Sequence, residues 1–143
     1  MRCLVLIPLI FAAAPALATG CPASPDHGAT LSALIKEARK APDEATGRGL
    51  SDEMWALWAE APDARAQEML DRAMARREMY DFEGAMAAAE SLIAYCPDYA
   101  EGYNQRAFLN FLTQDYEAAL PDLDATLTRN PRHVAALTGK ALT

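Results

Sequence analysis

From residue 29 onward, apolar side chains recur every three or four positions, the spacing of helices with one buried face. Leu31, Leu34, Ile35 and Ala38 form the first such stripe, with Lys36, Glu37, Arg39 and Lys40 turned away. Thr30 or Ser32 is placed to cap that helix, Pro42 to end it, and Asp43 to cap the next. Gly47 and Gly49 weaken the start of the second helix. Beyond them Leu50, Met54, Trp55, Leu57 and Trp58 build a strong apolar face, with Asp52 and Glu53 in the first turn. Residues 29–65 therefore predict a helical hairpin, stacked before the helices that begin at residue 66. Trp55 and Trp58 suit either an aromatic ligand box or a core, and their i, i+3 spacing on an alanine-rich helix favours the core. Runs of Val, Ile and Thr that would signal strands are missing outside the first residues, so the expected fold class is all-α.

The first eighteen residues follow another pattern. Arg2 precedes an almost unbroken apolar run from Leu4 to Ala14, and Ala16-Leu17-Ala18 supplies small residues for cleavage. The run is too short for a comfortable membrane span. Residues 1–18 predict a removable export signal and a periplasmic or secreted chain, with residues 19–28 as a linker. Cys3 leaves with the signal, so the mature chain keeps Cys21 and Cys96. Three fates stand open: a disulfide between them, favoured by an even count in an oxidising compartment; a lipid anchor on Cys21, whose Ala18-Thr19-Gly20-Cys21 context resembles a lipobox; and free thiols.

Residues 66–99 and 100–133 carry the same residue types 34 places apart. Ala73 lies over Ala107, Asp81 over Asp115, Phe82 over Tyr116, Ala85 over Ala119 and Pro97 over Pro131. The period and these positions resemble the tetratricopeptide repeat, a unit of two antiparallel helices, A and B. The resemblance implies an antiparallel helix-hairpin solenoid. Alanines stand where helices cross, an aromatic follows a capping aspartate in each turn, and a proline closes each unit. The family's tryptophan position holds Met69 and Tyr103, its leucine Arg72 and Arg106, and its turn glycine Tyr80 and Gln114. Pro62-Asp63 and Pro97-Asp98 are both expected to start helices. Pro121 is expected about four residues into a helix, where a missing N–H donor costs little. Residues 134–143 read as the start of a third unit, with Val134, Leu137, Ala141 and Leu142 as its apolar stripe. That start implies either a piece of a longer repeat protein or an end covered by a second copy or a partner.

Solenoids of this kind leave a groove lined mainly by A helices. The resemblance implies a protein or peptide partner there, and an adaptor or scaffold role. The groove positions it gives are Gln67, Leu70, Met74, Arg77, Glu78, Glu101, Asn104, Phe108, Phe111 and Leu112. Phe108 or Phe111 could instead pack internally. Tyr103-Asn104-Gln105-Arg106 only faintly resembles the carboxylate clamp of some members, since the groove lysines have no counterpart. The alternative function is an envelope-attached structural subunit, lipidated at Cys21 and assembled by its repeat ends.

With Arg2 set aside, 12 basic residues face 20 acidic ones, a balance of −8. That charge argues against nucleic acid and against an anionic membrane surface. His27 and His133 have no Cys, His or Asp at metal-ligand spacing, and no phosphate loop or hydrolase motif occurs. Asp122 and Asp124 read as a solvated helix face. No enzyme, metal or cofactor is expected.

Overall fold

The computed structural model describes residues 20–143, so the expected export signal lies outside the described residues. Among those residues every regular element is a helix: α1 Gly28–Ala38, α2 Glu44–Trp58, α3 Ala64–Glu78, α4 Phe82–Tyr95, α5 Ala100–Leu112, α6 Tyr116–Arg129 and α7 Val134–Leu142. Each helix from α4 onward packs on the one before it, while α3 also touches α5 and α5 touches α7. The result is a repeated hairpin arrangement in which α3, α5 and α7 form one layer and α4 and α6 the other.

The caps follow the sequence closely. Asp43, Asp63, Asp81 and Asp115 accept a backbone N–H from Thr46, Ala66, Gly84 and Ala118 respectively. These amide bonds hold the carboxyls of Asp43, Asp63 and Asp81 below the ordinary carboxylate range. A lowered native pKa stabilises the fold above the unfolded value and is lost as pH falls through the native one. The melting temperature is therefore expected to drop as pH falls below about 4, and a variant with Asn at all three caps should show a flatter fall.

Two cap expectations need correction. The first helix opens at Gly28, behind His27, so Thr30 and Ser32 lie inside it; the Ser32 hydroxyl bonds back to the Gly28 carbonyl. The helix after Pro97 is capped at Tyr99 without a side-chain bond, not at Asp98, because the second unit reaches its A helix one residue later than Pro62-Asp63 reaches α3.

Tyr80 and Gln114, at the two glycine positions of the repeat, have φ of 60° and 65°. The chain reverses from A to B helix through a left-handed residue, for which glycine carries no Cβ penalty. Gln114→Gly is expected to stabilise the chain by about 0.5–1 kcal/mol, read as a higher urea midpoint.

The alanines stand at the crossings. Ala73, Ala85 and Ala89 share one buried cluster with Leu109, and Ala107 and Ala119 share the next with Leu123 and Ala136. Ala107 is 1% exposed and Ala119 is fully buried, so a branched side chain would force the helices apart. Ala107→Leu is expected to cost about 1–3 kcal/mol by overpacking, and an unchanged melting temperature would contradict the register.

Pro121 is the sixth residue of α6, not the fourth. Its missing donor therefore removes one interior i→i−4 bond, a real cost to this helix. The expected stripe of α7 is also rotated. Ala136 is its buried residue, and Gly139 lies so close to Leu123 that an added Cβ would sit 3.1 Å from it. Small residues let α7 approach α6, which turns Val134, Leu137 and Leu142 outward, where they are 36%, 47% and 66% exposed.

α1 and α2 pair through Leu31, Leu34, Met54 and Trp58, as the stripes predict, with Trp55 and Leu57 against them. The pair is not stacked on α3 in the manner of a preceding repeat; α2 and α3 make no extended packing. α2 instead faces the layer of A helices, where Trp58 stacks on His133 at the start of α7 and both tryptophans line a cavity shared with α5 and α7.

Candidate functional site

The site is the face of α3, α5 and α7, and α2 covers part of it. Trp58 anchors the cover. Its ring stacks on His133, with centroids 4.2 Å apart and planes at 21°. Its carbonyl accepts the Tyr99 hydroxyl at 2.8 Å. Tyr99 and His133 are 34 residues apart and cap α5 and α7, so one residue of α2 meets both repeats at the same position. Burial pushes the Tyr99 hydroxyl pKa far up.

Beneath Trp58 lies a closed polar network. The Ala136 N–H donates to His133 Nδ1 at 3.2 Å, which places the ring proton on Nε2; Nε2 then donates to Glu101 Oε2 at 2.9 Å. The other oxygen, Oε1, accepts from Asn104 Nδ2 at 3.0 Å and Gln105 Nε2 at 2.6 Å. Gln105 in turn accepts from Arg77, whose guanidinium lies 5.0 Å from the centre of the Phe108 ring. Burial pulls the Arg77 pKa down, against the carboxylates of Glu78 and Glu101. Glu101, Gln105 and His133 are each 1% exposed.

The structure distributes the ten groove positions unevenly. Arg77, Asn104, Phe108 and Phe111 line one cavity of about 460 Å³, together with Trp55 and Trp58 of α2 and Val134 and Leu142 of α7. Leu70 is instead fully buried against Leu92, Cys96 and Tyr99, and Met74 packs beside that cluster. Glu101 is buried under His133. Gln67 turns to the loop before its own helix, accepting the Ala61 N–H, and Glu78 and Leu112 are exposed outside the cavity. The alternative of internal packing fits Phe111, which rests on Tyr116 with centroids 5.5 Å apart, better than it fits Phe108, which is 42% exposed.

Sequence reasoning missed the Glu101–His133 pair. The two residues are 32 apart and have no motif spacing; only the coincidence of His133 with Tyr99 at the N-cap position marked it. Asp122 is also corrected. It is buried, and Arg106 from α5 grips it through two bonds of 2.8 and 2.7 Å. An arginine at the family's leucine position thus replaces an apolar contact between A and B helices with an ion pair. Asp124 stays exposed and pairs with Lys140.

Cys21 and Cys96 stand at bonding distance, with Cα atoms 5.1 Å apart and a sequence separation of 75. A bond at this position joins the segment before α1 to the end of α4. Among the described residues no helix is long and apolar enough to cross a membrane, and no group of three metal-ligating side chains gathers.

No family model matches the chain, and no solved structure matches it. A TPR repeat-containing protein of Rhizobium etli is 29% identical to it over 111 residues, 78% of the chain. The chain spans about half, 54%, of that relative's length. With seven helices in repeated hairpins among the described residues and left-handed turn residues 34 apart, this match supports assigning the chain to the tetratricopeptide-repeat family.

Proposed function

We propose that the chain is an exported, non-catalytic scaffold that holds a protein partner on the face of its A helices. The observation that carries this reading is Phe108, an aromatic ring 42% exposed on α5 at the rim of an apolar cavity. Large apolar groups gathered on one face of a protein mark a contact surface. The relative's description as a TPR repeat-containing protein points the same way. The acidic balance of the chain favours a protein over nucleic acid.

Export and the state of Cys21 go together. A lipid anchor occupies the Cys21 sulfur and so excludes a bond to Cys96; the proximity of the two sulfurs favours the unanchored form. Intact mass spectrometry of the mature protein tests this. The expected result is a chain beginning near residue 19 and two hydrogens lighter than its reduced form, and a diacylglycerol adduct on Cys21 would favour the envelope-attached subunit. Affinity purification from the cell envelope fraction tests partner binding, with Phe108→Glu expected to lose the partner while its circular dichroism stays unchanged.

A further inference from the structure

We propose that α2 is an internal occupant of the groove, seated where a partner helix docks and displaced when that partner binds. The inference rests on the reading of the A-helix face as the partner site, and it names what the partner must look like: an amphipathic helix with two aromatic residues at i and i+3.

Four observations carry it. First, Trp58 of α2 stacks on His133 and takes the Tyr99 hydroxyl on its carbonyl, and Trp55 lines the same cavity as Phe108, whereas α2 makes no extended packing on α3 that would continue the solenoid. Second, the groove floor is satisfied without α2. Glu101, Asn104, Gln105, Arg77 and His133 bond to one another and to the α7 backbone; the Tyr99 hydroxyl, which donates to the Trp58 carbonyl, loses its acceptor when the hairpin leaves, but the same departure uncovers it to water. Third, the seat is imperfect. The Trp58 indole N–H is buried and meets no acceptor among the described residues, and a cavity of about 460 Å³ remains beside Trp55. A permanent core contact would fill that space and pair that donor; an exchangeable one need not. Fourth, the hairpin is fastened at both ends, by the Cys21–Cys96 bond and by the short connection from Trp58 to α3. Such tethering keeps the occupant at high local concentration, which sets the affinity a competing partner must exceed.

The seat also dictates the partner's chemistry. His133 presents a flat ring whose outer face is covered by Trp58 at 4.2 Å, so the competing residue must be aromatic. The next aromatic, one turn along, enters the space bounded by Phe108, Val134 and Leu142, beside Trp55.

The test uses the mature full-length chain and a fluorescein-labelled peptide of residues 44–58. The Trp58→Ala chain, with its own anchor removed, is expected to bind this peptide at least about tenfold more tightly than the wild type does. The same peptide carrying Trp58→Ala is expected not to bind. Equal binding to both chains, equal binding of both peptides, or no binding would overturn the proposal. Hydrogen exchange of the wild-type chain gives a second measurement that needs no folded variant. Amides of α1 and α2 are expected to exchange together, at least about tenfold faster than the slowest amides of α4 and α5. Equal protection of both sets would overturn the proposal. A chain that co-purifies with a partner yet ignores the peptide overturns this inference alone, whereas peptide binding without any cellular partner overturns the scaffold reading alone.

Discussion

Glu101→Ala is expected to destabilise the chain by about 3–5 kcal/mol, measured by urea unfolding. Three donors converge on this one carboxylate: His133 Nε2, Asn104 Nδ2 and Gln105 Nε2. All sit in a region where neither Glu101 nor His133 is more than 1% exposed. Alanine leaves each donor facing a void that is closed to water, and it leaves the half-buried Arg77 without the Glu101 carboxylate that favours its charge. Glu101→Gln is expected to cost less, because one amide oxygen still accepts. It does not restore the site. Its amide N–H₂ faces a histidine whose other nitrogen is already engaged by Ala136, so the ring cannot switch tautomer without losing that bond. A loss below about 1 kcal/mol for Glu101→Ala would mean that the network is looser than its geometry.

Reduction of the Cys21–Cys96 bond is expected to lower stability by roughly 4 kcal/mol, the loop-entropy value for a closure spanning 75 residues. Cys96→Ala should lower it by a similar amount, since both remove the same constraint on the unfolded chain. Cys96 is 1% exposed beside Leu70 and Leu92, so Cys96→Ser adds the burial of a hydroxyl and should cost somewhat more. The comparison separates the cross-link from local packing. If reduction leaves the urea midpoint where it was, the two cysteines are not bonded in the mature protein.

The features legible in the sequence are those that are local or that repeat. The capping aspartates, the alanine crossings and the odd residues at the glycine positions are each set by a few neighbours, and the second unit repeats the first. The pairing of α1 with α2 was equally legible, because both stripes are amphipathic. Where that hairpin docks was not. Its apolar face fits a preceding repeat or the A-helix groove equally well, and the choice is made by Trp58 meeting Tyr99 and His133, residues 41 and 75 positions further on. The rotation of α7 was missed for a similar reason. Hydrophobicity marks Leu137 and Leu142 as core, yet Gly139 and Ala136 allow the closer approach and so decide which face is buried. Of the groove positions carried over from the family resemblance, Arg77 on α3 and Asn104, Phe108 and Phe111 on α5 line the cavity, while Leu70 and Glu101 are claimed by the interior. A family position specifies a place on a helix; a neighbouring segment determines whether that place is open.

Site-specific photo-crosslinking in the cell of origin tests most directly whether this protein holds a partner on its A-helix face. A photoreactive residue at position 108, on α5 beside the cavity, is expected to give a discrete adduct with a second protein. The same residue at position 90, exposed on α4 in the other layer, is expected to give none. Adducts of equal yield from both positions, or from position 90 alone, would contradict partner binding on that face.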